Sequence, residues 1–136
     1  MTRCETGAIF ALMIIKINLK TKVGFNMEEF IKALRDQHAA LNQQAAELRA
    51  LDKGDEAVFS TVRANVYDIC ATVLGVQVKK GDIPGFSRML DRFQNEWGAA
   101  LEAAKRQDNA KKICVEETKL EALADVRARF AELRCE

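Results

Sequence analysis

From Met27 onward the apolar positions fall into long helical stripes. Met27, Phe30, Ile31, Leu34, Leu41, Ala45, Leu48 and Leu51 lie on one face of a 3.6-residue repeat. Within that face Met27, Leu34, Leu41 and Leu48 stand seven residues apart, a spacing suited to nearly parallel helix packing. Phe25-Asn26-Met27-Glu28-Glu29-Phe30 reads as its start: Asn26 can cap, Glu29 can bond back, and Phe25 can staple onto Phe30. Glu28 and Asp36 flank Lys32 one turn away on the polar face. The first helix is expected to end near Asp52, with Gly54 as its left-handed cap.

A second helix is expected directly afterwards, capped by Asp55. Its stripe runs Phe59, Val62, Val66, Ile69, Val73 and Val76, widened by Val58, Cys70 and Leu74. So short a connection makes the two helices antiparallel neighbours. Two ends are open for this element: a cap at Gly75 with Val76-Gln77-Val78 extended, or continuation to Gly81. Gly81-Asp82-Ile83-Pro84-Gly85 is the most concentrated turn signal in the chain. A third stripe follows through Phe86, Leu90, Phe93, Trp97, Leu101 and Ala104, and a fourth through Ile113, Leu120, Leu123, Val126, Phe130 and Leu133. The change of phase places a break near Gln107-Asp108-Asn109; Thr118-Lys119-Leu120-Glu121 resembles a capping box and offers a later start. Four apolar stripes with short loops predict an all-α fold, an up-down helical bundle of about four helices over 27–136.

Residues 1–26 do not share this pattern. Ala8–Ile15 is an apolar run of eight, too short to span a bilayer, which takes about 20 residues. Arg3 resembles the basic start of a signal peptide, but Glu5 interrupts it and no Ala-x-Ala-like cleavage site follows. From Ile15 to Val23 the chain alternates: Ile15, Ile17, Leu19 and Val23 against Lys16, Asn18, Lys20 and Lys22. Period two is a strand signal, and Val76–Val78 is the one credible partner within the chain; a second copy is the other. A competing reading makes Met27 the true start and 1–26 a translated leader.

Composition changes the picture in three ways. The 136 residues make room for one domain, with 49% apolar and 30% charged side chains, the mix of a chain that can bury a core. The formal charge of +1 provides no overall field for nucleic acid or an anionic membrane. It is also a sum of unlike parts: four basic residues against one acid in 1–26, and 17 basic against 19 acidic in the remainder. The single histidine, His38, removes paired Glu-x-x-His sites and most zinc sites. The cysteines Cys4, Cys70, Cys114 and Cys135 are far apart and form no metal knuckle. Cys70 and Cys114 read as buried free thiols in a cytoplasmic protein. No metal or other cofactor and no membrane association is expected.

The candidate chemistry is sparse. His38, Tyr67, Phe93 and Trp97 are the best candidates for a small-molecule pocket, with Trp97 as its centre, although the spacing of Trp97 equally suits a core side chain. Lys105, Arg106, Lys111 and Lys112 form a basic surface cluster with Arg127, Arg129 and Arg134 nearby, diluted by Asp108, Glu116 and Glu117; it is the one candidate for nucleic-acid contact. No Gly-rich phosphate loop, nucleophile elbow or EF-hand pattern occurs, and no catalytic residue is assigned. No motif resembles a known family closely enough to name one. Wide apolar stripes without catalytic groups favour association, with a second copy or a partner's helix, over a ligand-binding or enzymatic bundle. Nucleic-acid binding is the third reading.

Overall fold

A computed structural model describes residues 27–134, and these form four helices joined by tight turns: α1 (27–50), α2 (Gly54–Lys80), α3 (Ile83–Arg106) and α4 (Ala110–Arg134). The strand expected over 15–23 and the cap expected at Asn26 lie outside the described residues. The Val76–Val78 segment is helical, so the extended alternative does not occur there, and α2 runs on to Lys80.

All three turns are closed in the same way. Within two residues of each helix end the chain adopts a left-handed conformation: Asp52 (φ 62°), Gly81 (φ 69°) and Asp108 (φ 53°). The next amide then reaches back across the last turn, Lys53 N to Leu48 O at 2.8 Å, Asp82 N to Gln77 O at 2.9 Å and Asn109 N to Ala104 O at 3.0 Å, satisfying carbonyls that the helix leaves open. After α1 the cap is therefore Asp52 and not Gly54, which opens α2. Asp55 does not cap α2 either. The preceding residue is Lys53, whose side chain makes no capping bond, and Asp55 and Glu56 lie in the first turn, where their charge complements the helix dipole.

The starts of α3 and α4 are capped by side chains. Asp82 Oδ1 accepts from Gly85 N at 3.1 Å, with Pro84 in the first turn. A Cβ on Gly85 would stand 2.5 Å from Asp82 Oδ2 and 2.6 Å from Gln77 Oε1, so glycine is what lets this cap close. Asn109 Oδ1 accepts from Lys112 N at 3.2 Å, which puts the break at Gln107–Asn109. Thr118 lies inside α4, where its hydroxyl donates to Cys114 O at 2.7 Å.

Cross-helix contacts set the topology. Arg35 to Asp68 at 2.6 Å and Arg49 to Thr61 at 3.0 Å run α1 antiparallel to α2. Asp91 to Arg127 at 2.7 Å and the Phe86–Phe130 ring pair run α3 antiparallel to α4. Tyr67 to Asp125 at 2.5 Å and Arg63 to Glu121 at 3.9 Å hold α2 directly beside a parallel α4. The core fills the space between them with Phe30, Leu34, Cys70, Leu74, Phe86, Leu123 and Val126, all buried. At one end Phe130 is sandwiched, stacked on Phe30 at 6.2 Å and edge-on to Phe86 at 4.8 Å.

The stripe of α2 is turned relative to expectation. Its buried face is Ala57, Ser60, Ala64, Tyr67, Ala71 and Leu74, with Val66 and Cys70 beside it, while Ile69 is 39% and Val76 45% exposed. Apolar residues occur almost all round this helix. Small side chains mark the side on which neighbouring helices approach closely, and that size pattern, not apolar character, sets its rotation. In α1 Leu51 lies beyond the helix end and is 67% exposed.

Candidate functional site

The four candidates for a small-molecule pocket are engaged at three separate places. His38 Nδ1 lies 2.9 Å from Ala64 O, an acceptor, so this nitrogen carries the proton; Nε2 then accepts from Asn42 Nδ2 at 3.2 Å. The imidazole thereby clips α1 to the backbone of α2. Tyr67 donates to Asp125, whose Oδ2 also takes Arg129 Nε at 3.0 Å. Burial, and secondarily the bond to Asp125, pushes the phenol well above its usual range.

Phe93 and Trp97 stack on one another with centroids 5.2 Å apart. Lys119 Nζ sits 4.9 Å above the Trp97 ring and 3.1 Å from Glu116 Oε1. The Glu116 side chain is only 7% exposed, so this α4 ion pair with its aromatic lid is largely withdrawn from water.

Two grooves lie elsewhere among the described residues. One of about 470 Å³ runs between α1, α2 and α4, and a second of about 340 Å³ adjoins it. Phe59 and Cys114 line both, and none of His38, Tyr67, Phe93 or Trp97 lines either. Of the two thiols expected in the core, Cys114 is instead exposed, since it faces the two grooves near the start of α4; both are free. Cys70 is buried, and burial pushes its thiol up to about 12. Among the described residues no three His, Cys, Asp or Glu side chains come together as a metal site. The basic cluster is brought together at one corner: Lys105 and Arg106 end α3, Lys111 and Lys112 begin α4, and all four are exposed. Lys105 is paired with Glu102 at 3.4 Å.

The feature that sequence reasoning missed is the outer face of α2. Opposite Tyr67, which faces α4, the helix presents Val58 (36% exposed), Ile69 (39%) and Val76 (45%) with half-buried Val62. These four belong to one run of positions separated alternately by four and three residues, completed by exposed Asn65 and Thr72. That is the spacing of a second helix–helix seam. It runs for roughly 27 Å of helix; α1 reaches its edge at Thr72, whose hydroxyl accepts from Arg35 Nη2 at 3.4 Å, and α4 borders its start across the smaller groove, which Val58 lines. The signal that could have found it is the row of Ala and Ser on the opposite face.

No described helix is long and apolar enough to cross a membrane. Comparison of the chain with models of protein families, with characterised proteins and with solved structures finds no match.

Proposed function

We propose that this is a cytoplasmic helical-bundle protein that acts by protein–protein association through the outer face of α2, as a homodimer or by receiving a partner's helix. The observation that carries the reading is the row Val58, Ile69 and Val76, left open to water on a helix whose opposite side is already packed. Scattered exposed apolar residues are ordinary, but a row at seam spacing is the surface that a further helix would bury. Covering a valine or isoleucine contributes on the order of 1 kcal/mol each when it is already partly shielded. The free thiols Cys70 and Cys114 fit a reducing compartment.

The test is the mass of the full chain in solution, by sedimentation at micromolar concentration, beside the Ile69→Lys variant. Proteins co-purifying with natively expressed chain are compared between the same two forms. Ile69 is exposed enough for lysine to leave the fold intact, which helical circular dichroism checks. The reading predicts a species or partner present with the unaltered chain and lost in the Ile69→Lys variant. A monomer whose companions are the same in both forms overturns it.

A further inference from the structure

Resting on that association reading, we infer that the face of α2 is built for a second copy of this chain, docked antiparallel about a two-fold axis level with Tyr67. The seam positions are symmetric along the helix. Antiparallel pairing therefore sets Val58 against Val76 of the second copy, Val62 against Thr72, and Asn65 against Ile69, each pair occurring twice. This is the isologous arrangement of a two-fold dimer, in which every contact is made in both directions. Alternate seam positions of one helix meet the complementary positions of the other, as antiparallel packing requires.

Charge selects this direction. One step beyond the apolar row at each end, in the same spacing, stand Asp55 and Lys79, both exposed. Neither is held in an ion pair among the described residues; the neighbouring pairs are Arg35–Asp68 and Arg63–Glu121. In the antiparallel dimer Asp55 of each copy meets Lys79 of the other, closing both ends of the seam with opposite charges. Parallel pairing would set Asp55 on Asp55 and Lys79 on Lys79. Acidic Glu56 and basic Lys80 repeat the same polarity, acid at the start of α2 and base at its end. Asn65 is the polar residue nearest the axis; a single buried amide in such a seam penalises shifted registers. A generic partner's helix has no reason to carry this mirror image of α2, whereas a second copy carries it by construction.

The experiment uses the full chain with Cys4, Cys114 and Cys135 changed to Ser and buried Cys70 retained. Val58→Cys chains are mixed with tagged Val76→Cys chains and oxidised. The antiparallel dimer links the two variants to each other, and neither variant to itself. In parallel, Asp55→Lys and Lys79→Asp are each expected to raise the dimer dissociation constant about tenfold, since each replaces two attractions by two repulsions. The double variant Asp55→Lys/Lys79→Asp restores the opposite pairing and brings the constant back to within about threefold; a mere folding defect would add instead of cancelling. A dimer lost in Ile69→Lys in which Val58→Cys links to itself, or in which the double reversal is no better than the singles, overturns this geometry while leaving association standing. So does a monomeric chain that loses a different partner on Ile69→Lys. A monomer with no such partner overturns both.

Discussion

The phenol of Tyr67 on α2 donates to Asp125 Oδ2 on α4 across 2.5 Å, joining two parallel helices at a point where one residue is buried and the other only half-exposed. A hydrogen bond to a carboxylate in such a place is stronger than a neutral one. Tyr67→Phe keeps the ring volume and removes only this bond, leaving Asp125 with Arg129. The expected cost is about 1–2 kcal/mol, read as a lower urea midpoint with unchanged slope. No change in midpoint would place the bond outside the stability of the fold.

Tyr67 and Cys70 together dictate an alkaline limit. Folding raises the Tyr67 phenol above its ordinary value of 10.0 and the Cys70 thiol from 9.0 to about 12, in both cases mainly through burial. Groups raised in the folded state contribute fully below their unfolded values and lose that contribution as pH climbs toward the folded ones. These two groups are therefore expected to leave stability unchanged through neutrality and to lower it from about pH 9 upward. The chain has one tyrosine, so ultraviolet absorbance of the phenolate follows Tyr67 alone. Phenolate appearing near its ordinary pH, before unfolding, would contradict this.

The turns give the clearest stabilising substitutions. Asp52 and Asp108 hold left-handed conformations that cost a side-chain-bearing residue energy, and each places a negative charge at a helix C-terminus. Asp52→Gly and Asp108→Gly are expected to raise stability by about 0.5–1 kcal/mol each, whereas Gly81→Ala lowers it by about 1 kcal/mol. Gly85→Ala acts differently: it pushes the Asp82 carboxylate off the start of α3 and loses a cap worth about 1 kcal/mol. Melting curves of the four variants separate these signs.

The unevenness of what the sequence reveals has a physical origin. The first stripe was legible because Met27, Leu34 and Leu41 are large, apolar and regularly spaced, and all three are buried. The break at Gln107–Asn109 was legible because the stripe changes phase across it. The rotation of α2 was not, since Val and Ile occur on its outer face and Ala and Ser on its inner one; apolar counting ignores volume, which decides how closely helices approach. For the same reason Ile69 and Val76 read as core when they form the exposed row. The bonds of Tyr67 to Asp125 and of His38 to Ala64 O join residues 58 and 26 positions apart, and no local motif announces either. The placing of His38, Tyr67, Phe93 and Trp97 around three different contacts is likewise a property of the assembled bundle.

Glu116 supplies a test of how a buried charge is carried. Its side chain is 7% exposed and its ion-pair partner is Lys119 at 3.1 Å, itself held over Trp97. Lys119→Met keeps much of the packing against the ring and leaves the carboxylate without its counter-charge, at an expected cost of about 2–3 kcal/mol. Glu116→Gln alone removes the charge and retains a polar group, and is expected to cost less. In the double variant Glu116→Gln/Lys119→Met the two losses do not add, because the uncompensated charge that made the first one large is gone. Denaturation midpoints of the four forms complete the cycle. Additivity within about 0.5 kcal/mol would mean that Lys119 stabilises α4 through Trp97 and not through Glu116.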